Sequence, residues 1–334
     1  MGKNKKTGKK GRGLKILLYV IAAAALFLAV INIIPPKKVM EDNPFIKGEG
    51  ELPMIAAHRG GGISNPENTL MAFRAAVSEY GIQICETDLW MTSDGHLVYS
   101  HDSSINRMAC PEGAAAVTIA EHTLAELKTY NMGYNFKDHD TGSYPYRNAT
   151  EAEQQEKGLK ILEFSELLEE FYDTRKDLLF IVEIKNGGET GFKAADIIDK
   201  TLTDCFPDYR NNIVIGTFHP EIEEDLKQDH PGLMRGASTS GAARFIITQM
   251  LRVNFFSGTD FTCLQIPMSY TIKGIKLDLT PETYIKRAHR MGIAVQFWTI
   301  NDAEDMRFLI ERGVDAIMTD DPKLLKQVLS EYEH

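Results

Sequence analysis

The stretch MIAAHRGGGISNPENTLMAFRAAVSEYGIQICETDLW, residues 54–90, decides the fold. It opens with an apolar run, Met54–Ala57, that stops at His58-Arg59 and a triple glycine. Pro66 sits where a first helical turn tolerates proline, and Leu70, Phe73, Ala76 and Val77 follow at helical spacing. A second apolar run, Ile82–Leu89, encloses Glu86 and Asp88. Strand, helix, strand in that order is the repeating unit of a parallel sheet.

The unit recurs along the chain. Further strand candidates are Leu97–Ser100, Leu178–Ile184, Ile213–Phe218, Leu233–Ala237, Cys263–Ile266, Ile293–Thr299 and Ala316–Met318. Several are continuous apolar runs, as strands buried on both faces require. Helical patterns lie between them, after Ser165, from Thr280-Pro281 to Gly292, and from Asp302 to Gly313. Repeated units in a chain of 334 residues imply a (β/α)8 TIM barrel. Nine strand candidates are one too many. Ser93-Asp94-Gly95 is a turn signal that makes Leu97–Ser100 the return strand of a hairpin, and the short Ala316–Met318 is the other candidate for exclusion. Residues 103–160 break the rhythm and read as a small inserted subdomain or lid.

The amino terminus has its own character. Residues 1–15 carry seven basic side chains and no acidic one. Residues 16–34, ILLYVIAAAALFLAVINII, hold no charge and match the length that crosses a hydrocarbon core. The basic flank keeps the amino terminus in the cytoplasm and sends the rest outward. A cleaved signal peptide has the same polarity, but this apolar run is long and no A-x-A site closes it. The expected organisation is a basic cytoplasmic tail (1–15), a transmembrane helix (16–34), a polar linker (35–52) and an extracytoplasmic barrel domain (53–334).

Beyond residue 15 the chain has 30 basic against 47 acidic residues, a formal −17. That balance argues against a nucleic-acid partner, which needs a basic face. An anionic substrate remains compatible, because a bound cation inverts the local sign. The four cysteines, Cys85, Cys110, Cys205 and Cys263, form no CxxC and no zinc spacing, and at this density a disulfide framework is disfavoured.

The chemistry gathers at strand ends, where barrel enzymes keep their sites. Glu86 and Asp88 are two apart on a strand and point to one side. Two carboxylates there repel, and their desolvation is costly unless a cation joins them. Glu183 and Lys185 repeat the spacing at the end of Phe180–Lys185. Residues i and i+2 are rather far apart for a salt bridge to explain both. Oxygen ligands from Glu86, Asp88 and Glu183 suit a hard cation, Mg²⁺ or Ca²⁺. His58 and His101 supply two groups that exchange protons near neutral pH. Phe218 and Trp298 end their runs as aromatics, suited either to substrate contact or to rim packing.

The strings AHRGGG…NPENTLMAF (57–73), ETDLWMTSDGHLVYSHD (86–102), VEIK (182–185), FWTIND (297–302) and GVDAIMTDDP (313–322) occur in one order. Together they resemble the glycerophosphodiester phosphodiesterase family, a branch of the phospholipase-C-like barrels. The resemblance covers about residues 53–330. It implies His58 and His101 as the acid–base pair, Arg59 as the phosphate holder, and Glu86, Asp88 and Glu183 as ligands of one divalent cation. Lys185 and Trp298 would line the substrate site, and Phe218, at the end of its own apolar run, is a further candidate for that site outside the resemblance. The implied reaction releases sn-glycerol 3-phosphate and an alcohol, by direct attack of water or through a cyclic phosphate. The segment 218–238 and the insertion match no family string, so the leaving alcohol is left open. A glycerophosphodiester or lysophospholipid-like substrate is expected. The alternatives are a lipid-directed phospholipase C or D activity and a non-catalytic membrane-anchored binding module.

Overall fold

The computed structural model describes residues 7–34 and 36–333. The basic side chains Lys3, Lys5 and Lys6 and the first linker residue, Pro35, lie outside the described residues. The N-terminal helix spans Thr7–Ile33, and its segment Arg12–Ile33 is long and apolar enough to cross a membrane. The helix therefore starts inside the basic stretch, before the apolar run begins. Beyond Lys15 it is apolar all round, which is how a helix surrounded by hydrocarbon reads.

Eleven strands follow: β1 (Met54–His58), β2 (Ile84–Met91), β3 (Leu97–Tyr99), β4 (Leu179–Ile184), β5 (Ile213–Thr217), β6 (Met234–Arg235), β7 (Cys263–Ile266), β8 (Ser269–Ile272), β9 (Ile275–Asp278), β10 (Ala294–Phe297) and β11 (Ala316–Thr319). Eight of them run parallel in the order β6-β5-β4-β2-β1-β11-β10-β7. The two ends of that order meet: Thr262 N–H donates to Arg235 O at 2.8 Å and Ala237 N–H to Cys263 O at 2.8 Å. The sheet is thus a nearly closed eight-stranded barrel, as the sequence pattern implied.

Of the two doubtful strands, β3 is the hairpin return, antiparallel to β2, while Ala316–Thr319 pairs with both β1 and β10 and belongs to the barrel. Its shortness misled, because neighbours on both sides satisfy even a four-residue strand. The hairpin β8–β9 has no counterpart in the sequence reading. It rises beyond β7 with Tyr270, Ile272 and Ile275 exposed, so no buried face stamps an alternation on it.

The barrel interior is built by period two. Ala56, Ile84, Leu179, Ile181, Val214, Met234, Cys263, Ala294, Ala316 and Met318 form one buried apolar cluster. The opposite faces pack against the surrounding helices in a larger cluster that includes Phe73, Phe180, Ile215, Val295 and Leu325. Phe45, fully buried, joins the interior cluster. Val39 N–H donates to Met291 O at 2.8 Å, and the Asn43 side-chain amide donates to Thr262 O (2.8 Å) and Gly292 O (3.0 Å). These acceptors immediately precede β7 and β10, so the segment 39–46 crosses the N-terminal mouth and Phe45 plugs it. The expectation of a merely polar tether is amended accordingly, since its apolar residues Val39 and Phe45 have a place to go.

The insertion 103–160 folds on a small core of its own, including Ile105, Ile119, Leu127 and Met132, closed by Val98 and Ile161. Cys85, Cys110 and Cys263 are buried and Cys205 is exposed; all four are free thiols. Replacing the plug, Phe45→Ala, is expected to lower unfolding free energy by about 3–5 kcal/mol. Urea denaturation of the detergent-solubilised chain reads it, and a loss under about 0.5 kcal/mol, the usual surface value, would remove Phe45 from the core.

Candidate active site

The same period that fills the barrel bottom with apolar groups delivers charge to its top. On β1 the inward series is Ala56, His58; on β2, Ile84, Glu86, Asp88; on β4, Leu179, Ile181, Glu183 and then Lys185. Carried one step past the strand ends it reaches Phe218 after β5, Trp298 after β10 and Asp320 after β11. Strand register sets these side by side: His58 lies opposite Glu86, and Asp88 opposite Glu183.

His58 is held by a partner that sequence reasoning missed. Its Nδ1 lies 2.5 Å from Asp320 Oδ1. Asp320 Oδ2 accepts from Asn301 Nδ2 at 2.7 Å, and Asn301 Oδ1 accepts from Thr319 Oγ1 (3.0 Å) and Asp320 N (2.9 Å). The other ring nitrogen, Nε2, is 3.9 Å from Glu86 Oε2. Burial disfavours the imidazolium, but the Asp320 hydrogen bond and the charges of Glu86 and Asp320 outweigh it, so the His58 pKa is raised. A carboxylate on Nδ1 fixes the tautomer and leaves Nε2 for proton transfer.

His101 arrives by the β2–β3 hairpin. β2 overshoots the rim, turns, and β3 brings the chain back, with Ser100 N–H donating to Asp88 O at 3.0 Å. A histidine distant in the strand pattern thereby returns to the level of the carboxylates. Its Nδ1 lies 2.9 Å from Asp102 Oδ1, the same device as at His58. Asp102 Oδ2 accepts from Arg107 Nε at 2.6 Å. Arg107, from the insertion, also donates to Glu67 through Nη2 (2.6 Å) and Nη1 (3.0 Å). Burial opposes ionisation of Glu67, yet Arg107 and Arg59 hold its pKa below the usual value. The insertion is thus tied through one guanidinium to both the His101 support and the PEN loop.

Arg59 has a left-handed backbone (φ 54), followed by Gly60 and Gly61 at φ 82 and 90. A Cβ on Gly61 would meet Pro322 Cγ at 2.7 Å, so glycine is required there. The sharp turn lets Arg59 N–H donate to Glu86 O (3.0 Å) and Glu86 Oε2 (3.1 Å) while the guanidinium reaches back toward Asp88. Arg59 Nε stands 3.6 Å from Asp88 Oδ2, and both atoms are buried without a hydrogen-bond partner.

Lys185 Nζ lies 2.9 Å from Asp88 Oδ1 and 2.9 Å from Glu183 Oε2. The Glu183–Lys185 pair doubted from spacing does form. The long lysine folds back along the rim, drawn by carboxylates on two strands. Even so, charge is short. Burial and the adjacent Asp88 push Glu86 up to about 7, and burial raises Glu183 despite Lys185. Among the described residues no three acidic, histidine or cysteine groups enclose an ion, and Lys185 occupies the space between Asp88 and Glu183. The donor set nevertheless fits a hard cation. It offers buried carboxylate oxygens on adjacent strands, one of them unpartnered, and burial and mutual repulsion that a positive charge would relieve. Phe218 (64% exposed) and Trp298 (38% exposed) stand at the mouth, open to a ligand.

Fold and site together define a barrel hydrolase of phosphoric diesters. The chain belongs to the glycerophosphoryl diester phosphodiesterase family, whose profile matches residues 58–324. It is similar to a glycerophosphodiester phosphodiesterase of Caldanaerobacter subterraneus subsp. tengcongensis, 27% identical over 81% of this chain and 96% of that protein. A mouse protein named Lysophospholipase D GDPD1 is 23% identical over 83% of this chain and 86% of its own length. Among solved structures, a Mycobacterium tuberculosis phosphodiesterase domain superposes with a TM-score of 0.66 at 18% identity, covering 83% of this chain and 99% of that one. An Oleispira antarctica phosphodiesterase, solved with the product sn-glycerol-3-phosphate, gives 0.61 at 22% identity over 84% of this chain and 97% of that one.

Asp320→Asn keeps the size of the side chain and removes the charge that orients His58. The expected result is about a 10–100-fold fall in kcat on glycerophosphocholine with KM little changed. Wild-type kcat in this variant would detach Asp320 from the work of His58.

Proposed function

We propose that this chain is a membrane-anchored, divalent-cation-dependent hydrolase of glycerophosphodiesters, releasing sn-glycerol 3-phosphate and an alcohol outside the cytoplasmic membrane. The observation that carries the reading is the pair of histidines, each with a carboxylate on Nδ1, around buried carboxylates and two cations. The product held by the Oleispira antarctica relative supports the same substrate class.

Hydrolysis breaks the phosphorus–oxygen bond to the alcohol and leaves the attacking water's oxygen on phosphorus. One histidine takes the proton from the attacking oxygen, and the other gives a proton to the leaving alcohol. Asp320 and Asp102 hold the two rings for that exchange. Arg59 and Lys185 receive the negative phosphate, with Lys185 exchanging a carboxylate contact for it. Glu86, Asp88 and Glu183 would hold one Mg²⁺ or Ca²⁺, which supplies positive charge where the reaction concentrates negative charge.

A second reading concerns the alcohol. The mouth carries Phe218, Trp298 and the exposed apolar residues of the β8–β9 hairpin. Such a rim suits an alcohol bearing an acyl chain, as in a lysophospholipid, and the name of the mouse relative points the same way. The helix Thr7–Ile33 is read as a retained anchor because it packs on the body: the Asn32 side-chain amide donates to Arg252 O at 2.9 Å.

Detergent-solubilised full chain with glycerophosphocholine, lysophosphatidylcholine and intact phosphatidylcholine tests the reading. Release of glycerol 3-phosphate is expected from the first, abolished by chelator and restored by Mg²⁺ or Ca²⁺. His58→Ala and His101→Ala should each lower kcat by about 10²–10⁴-fold. Chelator-insensitive turnover would remove the cation, and no release from any glycerophosphodiester would overturn the proposal.

A further inference from the structure

The end of the barrel opposite the site carries an apolar face that the described residues leave largely exposed. The helix Thr239–Met250 follows β6 and returns the chain to the N-terminal ends of the strands. Its last turns and the short turn Asn254–Phe256 expose Ile247, Met250, Leu251 (62%), Phe255 and Phe256 (59%). Five large apolar groups over ten residues exceed the scatter of single apolar residues on a soluble surface.

The N-terminal helix says what covers this face. Phe27 stacks on Phe256 with ring centroids 6.3 Å apart and planes 18° apart. Phe27 lies inside the apolar span Arg12–Ile33, five residues before Asn32. At the helical rise that places it roughly 7–8 Å deeper along the axis than Asn32. Asn32 itself marks a polar level. Its amide donates to Arg252 O, and its carbonyl accepts from Arg290 Nη1 at 3.1 Å. Burial and the nearby Arg252 and Arg290 hold the Arg287 pKa below its usual value, so three guanidinium groups cluster at this level. None of the three makes an ion pair among the described residues, although the body as a whole is strongly acidic. Apolar side chains below a belt of unpaired arginines form the profile of an interfacial membrane surface, with the cations at the phosphate level.

We infer that the side chains of Ile247, Met250, Leu251, Phe255 and Phe256 are embedded in the acyl region beside the anchor, with Arg252 at the phosphate level, seating the closed end of the barrel on the bilayer with the catalytic mouth turned away from it. This rests on the reading of Thr7–Ile33 as a membrane anchor. The direction follows from the strap 39–46, which leads from the anchor to the N-terminal mouth of the barrel, and from the site at the strands' C-terminal ends. The substrate therefore comes from the aqueous side, as a soluble diester or a lipid delivered from elsewhere. Lipid lying in the enzyme's own bilayer stays out of reach.

The test uses full chain in vesicles whose phosphatidylcholine and phosphatidylglycerol carry brominated acyl chains. Phe256→Trp and Phe27→Trp each add a fluorophore to the native Trp90 and Trp298, which lie at the far end and supply the background. Emission of the Phe256→Trp probe is expected to fall as far as that of Phe27→Trp. Quenching of Phe27→Trp alone overturns the inference and leaves the anchor standing; quenching of neither overturns both. Phe255→Trp carries the same measurement if Phe256→Trp loses activity on glycerophosphocholine. In the same vesicles, glycerophosphocholine added to the medium should be hydrolysed while lysophosphatidylcholine resident in the membrane is not. Cleavage of the resident lipid at a rate unaffected by vesicle dilution contradicts the orientation. Failure on glycerophosphocholine counts against the catalytic proposal instead, because the quenching reads independently of turnover.

Discussion

Two carboxylates on the inward face of one strand, Glu86 and Asp88, set the condition that the rest of the site answers. The strand is buried on both faces, so neither charge can reach bulk water. A third carboxylate, Glu183, stands opposite Asp88 on the neighbouring strand. Buried like charges are tolerated only with compensating cations or with a proton. The structure uses Lys185 and Arg59, leaves one Asp88 oxygen unpartnered, and pushes the Glu86 pKa up to about 7. Each of these responses suits the phosphate and the divalent ion proposed for the site. Removing the anionic cluster would strip Lys185 of both its carboxylate contacts and leave Arg59 only Glu67, 3.4 Å away, so the cations and the carboxylates are interdependent.

Most of the barrel was legible in the sequence because a barrel strand is buried twice and writes itself as a short apolar run. The same logic exposed Glu86, Asp88 and Glu183, since a charge inside such a run stands out. Elements without a buried face were not legible. The β8–β9 hairpin carries its apolar side chains into solvent, and nothing in their spacing distinguishes it from a loop. Asp320 escaped for a different reason. It follows its strand, in a stretch where Asp321 caps the next helix, and two adjacent aspartates read as one cap signal. Counting by twos from Ala316 and Met318 would have placed Asp320 on the inward face beside His58. Arg107 offered no such handle, because its partners Glu67 and Asp102 sit 40 and 5 residues away and the fold alone brings them together.

The molecule has a polarity that runs along the barrel axis. At one end Phe45 and the strap 39–46 close the interior, and the N-terminal helix leaves beside an apolar surface. At the other end the inward series turns from apolar to charged, and the insertion reaches over through Arg107. The closed end is the natural place for attachment, since contact there leaves the catalytic loops free. The division also sets a cluster of arginines, Arg252, Arg287 and Arg290, at the closed end of a chain that is strongly acidic overall.

The chemistry proposed for the barrel mouth depends on the Glu86–Asp88–Glu183 group being a cation site. Calorimetric titration of Mg²⁺ or Ca²⁺ into chelator-stripped full chain in detergent measures it directly, without turnover. One ion bound per chain is expected, with loss of that binding in Asp88→Asn while the variant melts as a folded protein. An absence of binding in the wild-type chain, or undiminished binding in Asp88→Asn, would contradict it.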